Sequence, residues 1–227
     1  MKRVHIVCEG QTEEMFVKEL LYPPFLSKGL YLIPVLIGKP GHKGGNFRFE
    51  RLLADVRNQL MGDSTAFCTT FFDFYGLPNE FPGKTAAAGK AHSQEKAQIV
   101  CDAMVEKLTG KLGDDAMHRF IPYIQMYEFE ALLFSDPDGL ARGVNCSDLS
   151  DDFSKIRNSF DSPESINDSP RTAPSKRICS KVSGYEKPIY GSLAALEIGL
   201  PVMRQECPLF DAWLTRLEGL ADEGETA

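Results

Sequence analysis

Acidic side chains directly follow three of the apolar, β-rich segments of this chain. They are Glu9 after residues 3–8, Asp73 after residues 66–72, and Glu128 and Glu130 after residues 120–126. Clustered carboxylates repel one another, so a cation must neutralise them or some must stay protonated. Oxygen ligands without Cys or His partners favour Mg²⁺ or Mn²⁺. Such a site suits phosphoryl transfer at a phosphodiester.

Each of these acids could be functional or could simply be exposed to solvent, and the local sequence favours one or the other. Glu9 precedes a glycine turn and a helix, where solvent exposure is equally compatible with the local sequence. Asp73 stands between two phenylalanines, which favours a functional role. Glu130 lies in an apolar run, where an unpaired charge would cost several kcal/mol, so we expect a partner or a metal there. The other nearby acids are expected to be solvated: Glu13, Glu14 and Glu80.

The spacing of Glu128 and Glu130 leaves two possibilities open. On a strand, residues two apart point to the same face, and both carboxylates would serve one site. In the first turn of a helix the two side chains diverge, and only one of them can be a ligand. The sequence is compatible with either arrangement.

Several polar residues are candidates for binding phosphate. Lys43 stands in a glycine-rich loop ahead of a helix, whose exposed N–H groups attract anions. The loop lacks the Gly-Lys-Ser/Thr ending of a P-loop, and a mobile polar loop is equally compatible. Lys176 and Arg177 could place two cations near a substrate backbone, although an ordinary surface turn is the simpler explanation. Tyr75 would position phosphate beside Asp73, and His42 is the histidine to test as a catalytic accessory.

Strand and helix patterns alternate along the first part of the chain. The predicted strands cover residues 3–8, 31–37, 66–72 and 120–126, and the predicted helices cover 12–21, 49–60 and 93–108. The first helix is expected to stop at Pro23-Pro24. This alternation predicts an α/β fold with a parallel sheet and helices on both faces. Because sites gather beyond the carboxyl ends of parallel strands, the acids above should converge.

The remainder of the chain predicts a helical extension. We place the α/β core at residues 1–139 and the extension at 140–227, packed back on the core as a single compact unit. Its last element is an amphipathic helix near residues 208–220 that carries Phe210, Trp213, Leu214 and Leu217.

Composition narrows the class of protein. The 227 residues are 43% hydrophobic and 25% charged, and the formal net charge is −7. This average composition excludes wholesale disorder, and the acidic balance argues against a duplex binder that works by counterion release. It still permits a nucleic-acid enzyme with locally neutralised carboxylates. Six scattered cysteines without a CxxC pair, and no secretory or membrane-length apolar run, predict a reducing cytoplasmic location.

Five separated segments carry a resemblance to a known family. They are Glu9-Gly10-Gln11-Thr12-Glu13, Phe71–Pro78, Tyr127–Phe134, and the C-terminal pair Ala173–Arg177 and Cys207–Leu214. Together they resemble the bacterial domain-of-unknown-function 4276 family over nearly the whole chain. The first motif is similar to the Toprim nucleotidyl-transfer and nuclease motif, and the family is grouped with Toprim-like folds.

The resemblance implies a Toprim-like parallel sheet flanked by helices and a metal-dependent nuclease-type site. Glu9 would match the Toprim glutamate, which acts as general acid/base or metal ligand, and Asp73 the first Asp of its Asp-x-Asp. Tyr75 stands at the second Asp position, so either Glu128 or Glu130 would supply the missing carboxylate, or the site would hold fewer ions or none. Family members often lie beside OLD- and SMC-like ATPases in apparent phage-defence cassettes, which implies an AAA/ABC-type ATPase partner.

These observations predict a Mg²⁺- or Mn²⁺-dependent nuclease that hydrolyses DNA or RNA. Glu9, Asp73 and Glu130 would be catalytic, and Glu128 would join them as a metal ligand. The alternative is a catalytically degenerate regulatory or binding subunit of an ATPase, which Tyr75 favours. A small-molecule phosphatase with an Asp73 nucleophile is a third alternative, and Tyr75 argues against it because the Asp-x-Asp pattern is incomplete.

Overall fold

The computed structural model describes residues 1–37, 48–167, 169 and 171–222. The predicted glycine-rich loop with His42 and Lys43 lies outside the described residues. The predicted roles of both residues therefore stay predictions.

A parallel β-sheet forms the centre of the molecule. Within the described residues it has the strands β1 (Lys2–Cys8), β2 (Leu30–Leu36), β3 (Phe67–Phe71) and β4 (Phe120–Ile121). Their order in the sheet is β2-β1-β3-β4, and all neighbouring pairs are parallel. Every carboxyl end therefore lies at the same edge. This confirms the predicted α/β fold with helices around a parallel sheet.

Helices connect the strands and make up the C-terminal part of the chain. They are α1 (Gln11–Phe16), α2 (Tyr22–Ser27), α3 (Phe49–Gly62), α4 (Lys84–Ala88), α5 (Ser93–Leu112), α6 (Asp114–Met117), α7 (Glu130–Leu133), α8 (Pro137–Gly143), α9 (Ser150–Arg157), α10 (Pro174–Cys179), α11 (Ser192–Ile198), α12 (Leu200–Glu206) and α13 (Pro208–Asp222). Two π-helical segments, Val17–Leu21 and Lys187–Gly191, adjoin α1 and α11. Among the described residues, no helix is long and apolar enough to cross a bilayer.

The prediction that the first helix ends at Pro23-Pro24 was wrong. The chain stays helical through Val17–Leu21 and into α2, where the two prolines occupy the first turn. The Tyr22 N–H directly before them donates to the Val17 carbonyl, five residues back, so the hydrogen-bond ladder widens where the prolines lack N–H groups. The wider π-helical turn in front of α2 accommodates the proline rings.

The fourth strand is shorter than predicted because Pro122 interrupts it. Proline has no N–H group to donate to the neighbouring strand. The regular pairing with β3 ends at Ile121, and the chain returns to β3 at Gln125. There the Gln125 N–H donates to the Phe72 carbonyl at 2.8 Å, and the Phe74 N–H donates to the Gln125 carbonyl at 2.9 Å.

Apolar side chains fill both faces of the sheet, and the C-terminal helices supply much of one face. The core on that side joins β1 residues to residues of α7, α11 and α13. Trp213 of α13 is buried, stacks on Tyr123 with 4.3 Å between ring centroids, and donates its indole N–H to Thr69 Oγ1 at 2.9 Å. Cys8 and Cys68 are buried, as expected of small hydrophobic residues. The boundary between residues 139 and 140 stays a prediction.

Candidate functional site

The ammonium group of Lys187 lies between three carboxylates at the carboxyl edge of the sheet. Its Nζ is 2.9 Å from Asp73 Oδ2, 3.2 Å from Glu130 Oε2 and 3.4 Å from Glu13 Oε1. Lys187 begins the π-helical segment of the C-terminal part, so residues distant in sequence meet here. We call Glu9, Glu13, Asp73, Glu130 and Lys187 the acidic cluster.

Asp73 is fixed by backbone groups at the end of β3. The Phe129 N–H donates to Asp73 Oδ1 at 2.8 Å, and the Asp73 N–H donates to Glu9 Oε2 at 3.2 Å. The isolated bridge to Gln125 holds this stretch in the sheet. Gly76 leaves room for the Glu9 carboxylate, since a Cβ at that position would lie 2.4 Å from Glu9 Oε2. The two predicted strand-end acids are therefore brought together.

Glu13 is buried, and the expectation that it would be solvated was wrong. It lies in the first turn of α1, where its Oε2 accepts a hydrogen bond from the Gly10 N–H at 2.9 Å. Its other oxygen faces Lys187, and its side chain is 4% exposed. The carboxylate thus caps the helix and belongs to the acidic cluster, whereas Glu80 is exposed as expected.

Burial and like charges shift the acids of the cluster toward neutral pH. Burial, and then the charges of Asp73 and Glu13, raise the pKa of Glu9 to about 8. Burial also raises the pKa of Glu130 to about 7, against the opposing charge of Lys187. Carboxylates in this state exchange protons in the range where enzymes work.

Glu130 is the most deeply buried acid of the cluster, with no exposed surface. Within the described part of the chain, neither of its carboxylate oxygens has an aligned hydrogen-bond partner. The 3.2 Å approach of Lys187 is an ion pair rather than a directed hydrogen bond. Two lone-pair-rich oxygens are therefore available at the centre of the site.

Lys187 is held in its charged form by its neighbours. Burial alone would lower the pKa of this lysine, but the charges of Asp73, Glu130 and Glu13 raise it well above its ordinary value. A single ammonium group nevertheless balances a single carboxylate charge. The described cluster therefore retains surplus negative charge when its acids are ionised.

The structure resolves the question left open by the spacing of Glu128 and Glu130. Glu130 begins helix α7 and faces Lys187, whereas Glu128 diverges from it. Glu128 Oε2 instead accepts a hydrogen bond from the Ser175 N–H at 2.8 Å, at the start of α10. The predicted role of Glu128 as a metal ligand has no support from this geometry.

The predicted phosphate-binding residues that the structure describes, Tyr75, Lys176 and Arg177, lie outside the acidic cluster. Lys176 is exposed on α10, and Arg177 donates its Nε–H to the Thr172 carbonyl at 2.7 Å. Tyr75 is half-buried and packs beside Tyr127, with 5.5 Å between the ring centroids. Of these residues, Tyr75 is the one next to the end of β3.

Sequence reasoning missed Glu13 and Lys187. A signal for Glu13 was present, because a glutamate three residues after Gly10 occupies the position of a capping-box acid. Lys187 has no comparable signal. It is 114 residues from Asp73, and a Lys-Pro pair in a helical extension is typical of a surface turn.

The carboxylates of the acidic cluster are possible ligands for a divalent cation. Every donor of the cluster is a carboxylate oxygen, which Mg²⁺ and Mn²⁺ prefer, and the free oxygens of Glu130 point into the site. In the described residues, however, no group of three or more acidic, His or Cys side chains is arranged as a ready coordination shell. The oxygens are of the chemical type that such an ion prefers, but the Lys187 ammonium stands among them.

The fold and this cluster define an α/β protein with one lysine ammonium among several carboxylates at the carboxyl edge of a parallel sheet. The model of the family "Domain of unknown function (DUF4276)" matches residues 8–218, and the chain belongs to that family. Neither the curated proteins nor the solved structures contain a match to this chain.

Glu9→Gln should change how stability depends on pH. The folded-state pKa of Glu9 is raised from 4.5 to about 8, so the unfolded chain loses this proton first and stability falls as the pH rises through that window. Relative to wild type, the variant should gain roughly 1–3 kcal/mol in unfolding free energy between about pH 5 and about pH 8.5. Urea denaturation, monitored by Trp213 fluorescence, measures the unfolding free energy at each pH. Glu80→Gln is the control, because Glu80 is exposed. The same pH response in both variants would contradict the assignment.

Lys187→Met should strongly destabilise the fold at alkaline pH. Removal of the ammonium leaves buried carboxylates without a counter-charge, at a cost of about 3–5 kcal/mol. The loss should be smaller near pH 5.5, where Glu9 and Glu130 are protonated, both having pKa values near neutrality or above. Lys181→Met is the matched control, because Lys181 pairs with Asp152 at the surface and should contribute less than about 1 kcal/mol. Equal losses for the two variants would show that Lys187 does not hold the cluster together.

Proposed function

We propose that this protein is a phosphodiesterase that hydrolyses nucleic acid with the help of Mg²⁺ or Mn²⁺. The observation that carries the proposal is the surplus negative charge of the acidic cluster. Its carboxylates are buried at the sheet edge where α/β proteins place their sites, and the single ammonium of Lys187 cannot neutralise them. A divalent cation would supply the missing charge.

Asp73, Glu130 and Glu13 are the residues that would hold the ion. Asp73 is oriented for this by the Phe129 N–H, and Glu13 by the Gly10 N–H. When bound, the ion would act as a Lewis acid toward the phosphoryl group and would acidify a water molecule. Glu128 is left out of the set because its carboxylate is engaged with α10.

The chain's own residues would perform the proton transfer and the charge balance. Glu9, with a pKa of about 8, is suited to take at Oε1 or Oε2 a proton from the water whose oxygen forms the new P–O bond. It would then donate that proton to the leaving oxygen as the other P–O bond breaks. The Lys187 ammonium would attract the phosphodiester and offset the charge that develops on its oxygens. The low exposure of Glu13 and Glu130 keeps competing water away from the reacting group.

A second candidate function is a regulatory or binding subunit without catalysis. Lys187 favours it, since an ammonium already stands where a cation would bind, and so does Tyr75, at the position where the Toprim resemblance expects an acid. In this case the cluster would be a structural ion-pair network. The partner would be the AAA/ABC-type ATPase that the resemblance implies, in a phage-defence setting.

Asp73→Asn tests the catalytic proposal. The amide still accepts the hydrogen bond from Phe129 but removes a charged ligand, so hydrolysis of single-stranded DNA or RNA in Mg²⁺ or Mn²⁺ should fall by more than the roughly 10–100-fold typical of an outer-shell partner. The melting temperature should stay near that of wild type, because loss of the ion pair is offset by relief of acid repulsion. Asp148→Asn is the control, because Asp148 is exposed and far from the cluster in sequence.

Two results would contradict the catalytic proposal. The first is hydrolysis by Asp73→Asn at the wild-type rate. The second is a wild-type protein that neither hydrolyses nucleic acid nor melts at a higher temperature in Mn²⁺, because a bound ion must stabilise the folded state. The second result would favour the regulatory subunit.

A further inference from the structure

Two lysines, Lys84 and Lys96, lie close enough for the charge of one to act on the other, near the residues that follow Asp73. Lys84 begins α4 and donates its ammonium hydrogen to the Phe74 carbonyl, with its Nζ 3.4 Å from the centroid of the Phe74 ring. Lys96 lies in the first turns of α5 and donates to the Tyr127 hydroxyl at 3.3 Å. Both side chains are half-buried.

Neither ammonium is neutralised by an acid. Among the described residues, no carboxylate forms an ion pair with Lys84 or Lys96, whereas neighbouring Lys90 pairs with Glu95 at 2.6 Å. Burial, and then the positive charge of Lys96, lower the pKa of Lys84 to about 8. Two like charges held in this way cost free energy that a bound anion would recover.

The lysine pair is connected to the acidic cluster by the backbone. Phe74 follows Asp73, and the Tyr75 N–H donates to the Tyr127 carbonyl at 3.0 Å. Tyr127 adopts a left-handed backbone with φ of 61°, which is uncommon for a non-glycine residue. The Lys84 Nζ also lies 5.9 Å from the centroid of the half-buried Tyr75 ring. Lys84 therefore contacts the residue that follows Asp73, and Lys96 contacts Tyr127, which pairs with Tyr75 through the backbone.

We propose that Lys84 and Lys96 bind a backbone phosphate of a polynucleotide strand, next to the phosphate that lies at the acidic cluster. The Tyr75 ring would support the adjoining sugar or base, as aromatic side chains do in proteins that bind single strands. This inference rests on the proposed function and narrows it. The substrate is a strand with several phosphates rather than a small phosphodiester.

Binding without metal tests the proposal separately from catalysis. Fluorescence anisotropy would measure the affinity of fluorescein-labelled single-stranded DNA and RNA of the same sequence, roughly 15 nucleotides long, in EDTA over a range of salt concentrations. Lys84→Gln/Lys96→Gln should weaken binding about 5–10-fold and reduce the slope of log K against log salt by roughly 0.7, the value for one neutralised phosphate of a single strand. Comparison of the two strands distinguishes DNA from RNA.

Two further variants control for charge and for folding. Lys111→Gln/Lys155→Gln removes the same charge from exposed positions on α5 and α9 and should leave the salt slope unchanged. Lys84→Arg/Lys96→Arg keeps both cations and should restore most of the affinity. A melting curve of each variant shows whether it is folded.

Several outcomes would overturn the proposal. They are no binding of either strand by wild type, equal slopes for wild type and the glutamine variant, or an equal loss in the Lys111/Lys155 control. A different result would show that the proposed function, rather than the lysine site, is wrong. Wild type that binds the strands in EDTA but does not hydrolyse them in Mn²⁺ would contradict catalysis alone.

Discussion

The ion pairs of Lys187 are the interaction on which the rest of the structure depends. One ammonium group contacts the end of β3 through Asp73, the first helix through Glu13, and α7 through Glu130. These segments come from both ends of the chain and from its middle. Without the ammonium, desolvated carboxylates would face one another at the sheet edge, which is strongly unfavourable. The ion pairs of Lys187 thus join the C-terminal part of the chain to the sheet edge and, at the same time, complete the acidic cluster.

The surrounding core allows such a cluster to persist. Large apolar side chains enclose it, including Phe16, Phe71 and Phe129, all of them buried. Their burial provides the favourable free energy that offsets the repulsion among the acids. The same burial raises the pKa values of Glu9 and Glu130 toward neutrality. Burial therefore disfavours the charged form of these acids and, by the same effect, gives them pKa values that suit proton transfer. This combination is common at functional sites.

The fold and the centre of the site could be predicted from local patterns. Strand–helix alternation predicted the parallel sheet, and parallel strands necessarily bring Glu9 and Asp73 to one edge. Pro122 shortened β4 by removing a backbone donor, an effect that an apolar pattern does not reveal. Lys187 could not be predicted, because its partner Asp73 is 114 residues away and only tertiary packing joins them. The predicted domain boundary, metal and partner remain predictions.

The central claim is that the acidic cluster holds protons that a divalent cation displaces. Isothermal titration of Mn²⁺ into the protein near pH 7, in PIPES and in HEPES buffer, tests it directly, because the two buffers absorb protons with different enthalpies. With pKa values of about 8 and about 7, Glu9 and Glu130 both hold protons at that pH. A bound cation would lower both pKa values, so binding should release about one proton per ion and the measured heats should differ between buffers. Binding should be lost in Asp73→Asn. Absence of binding, or identical heats in both buffers, would contradict the account.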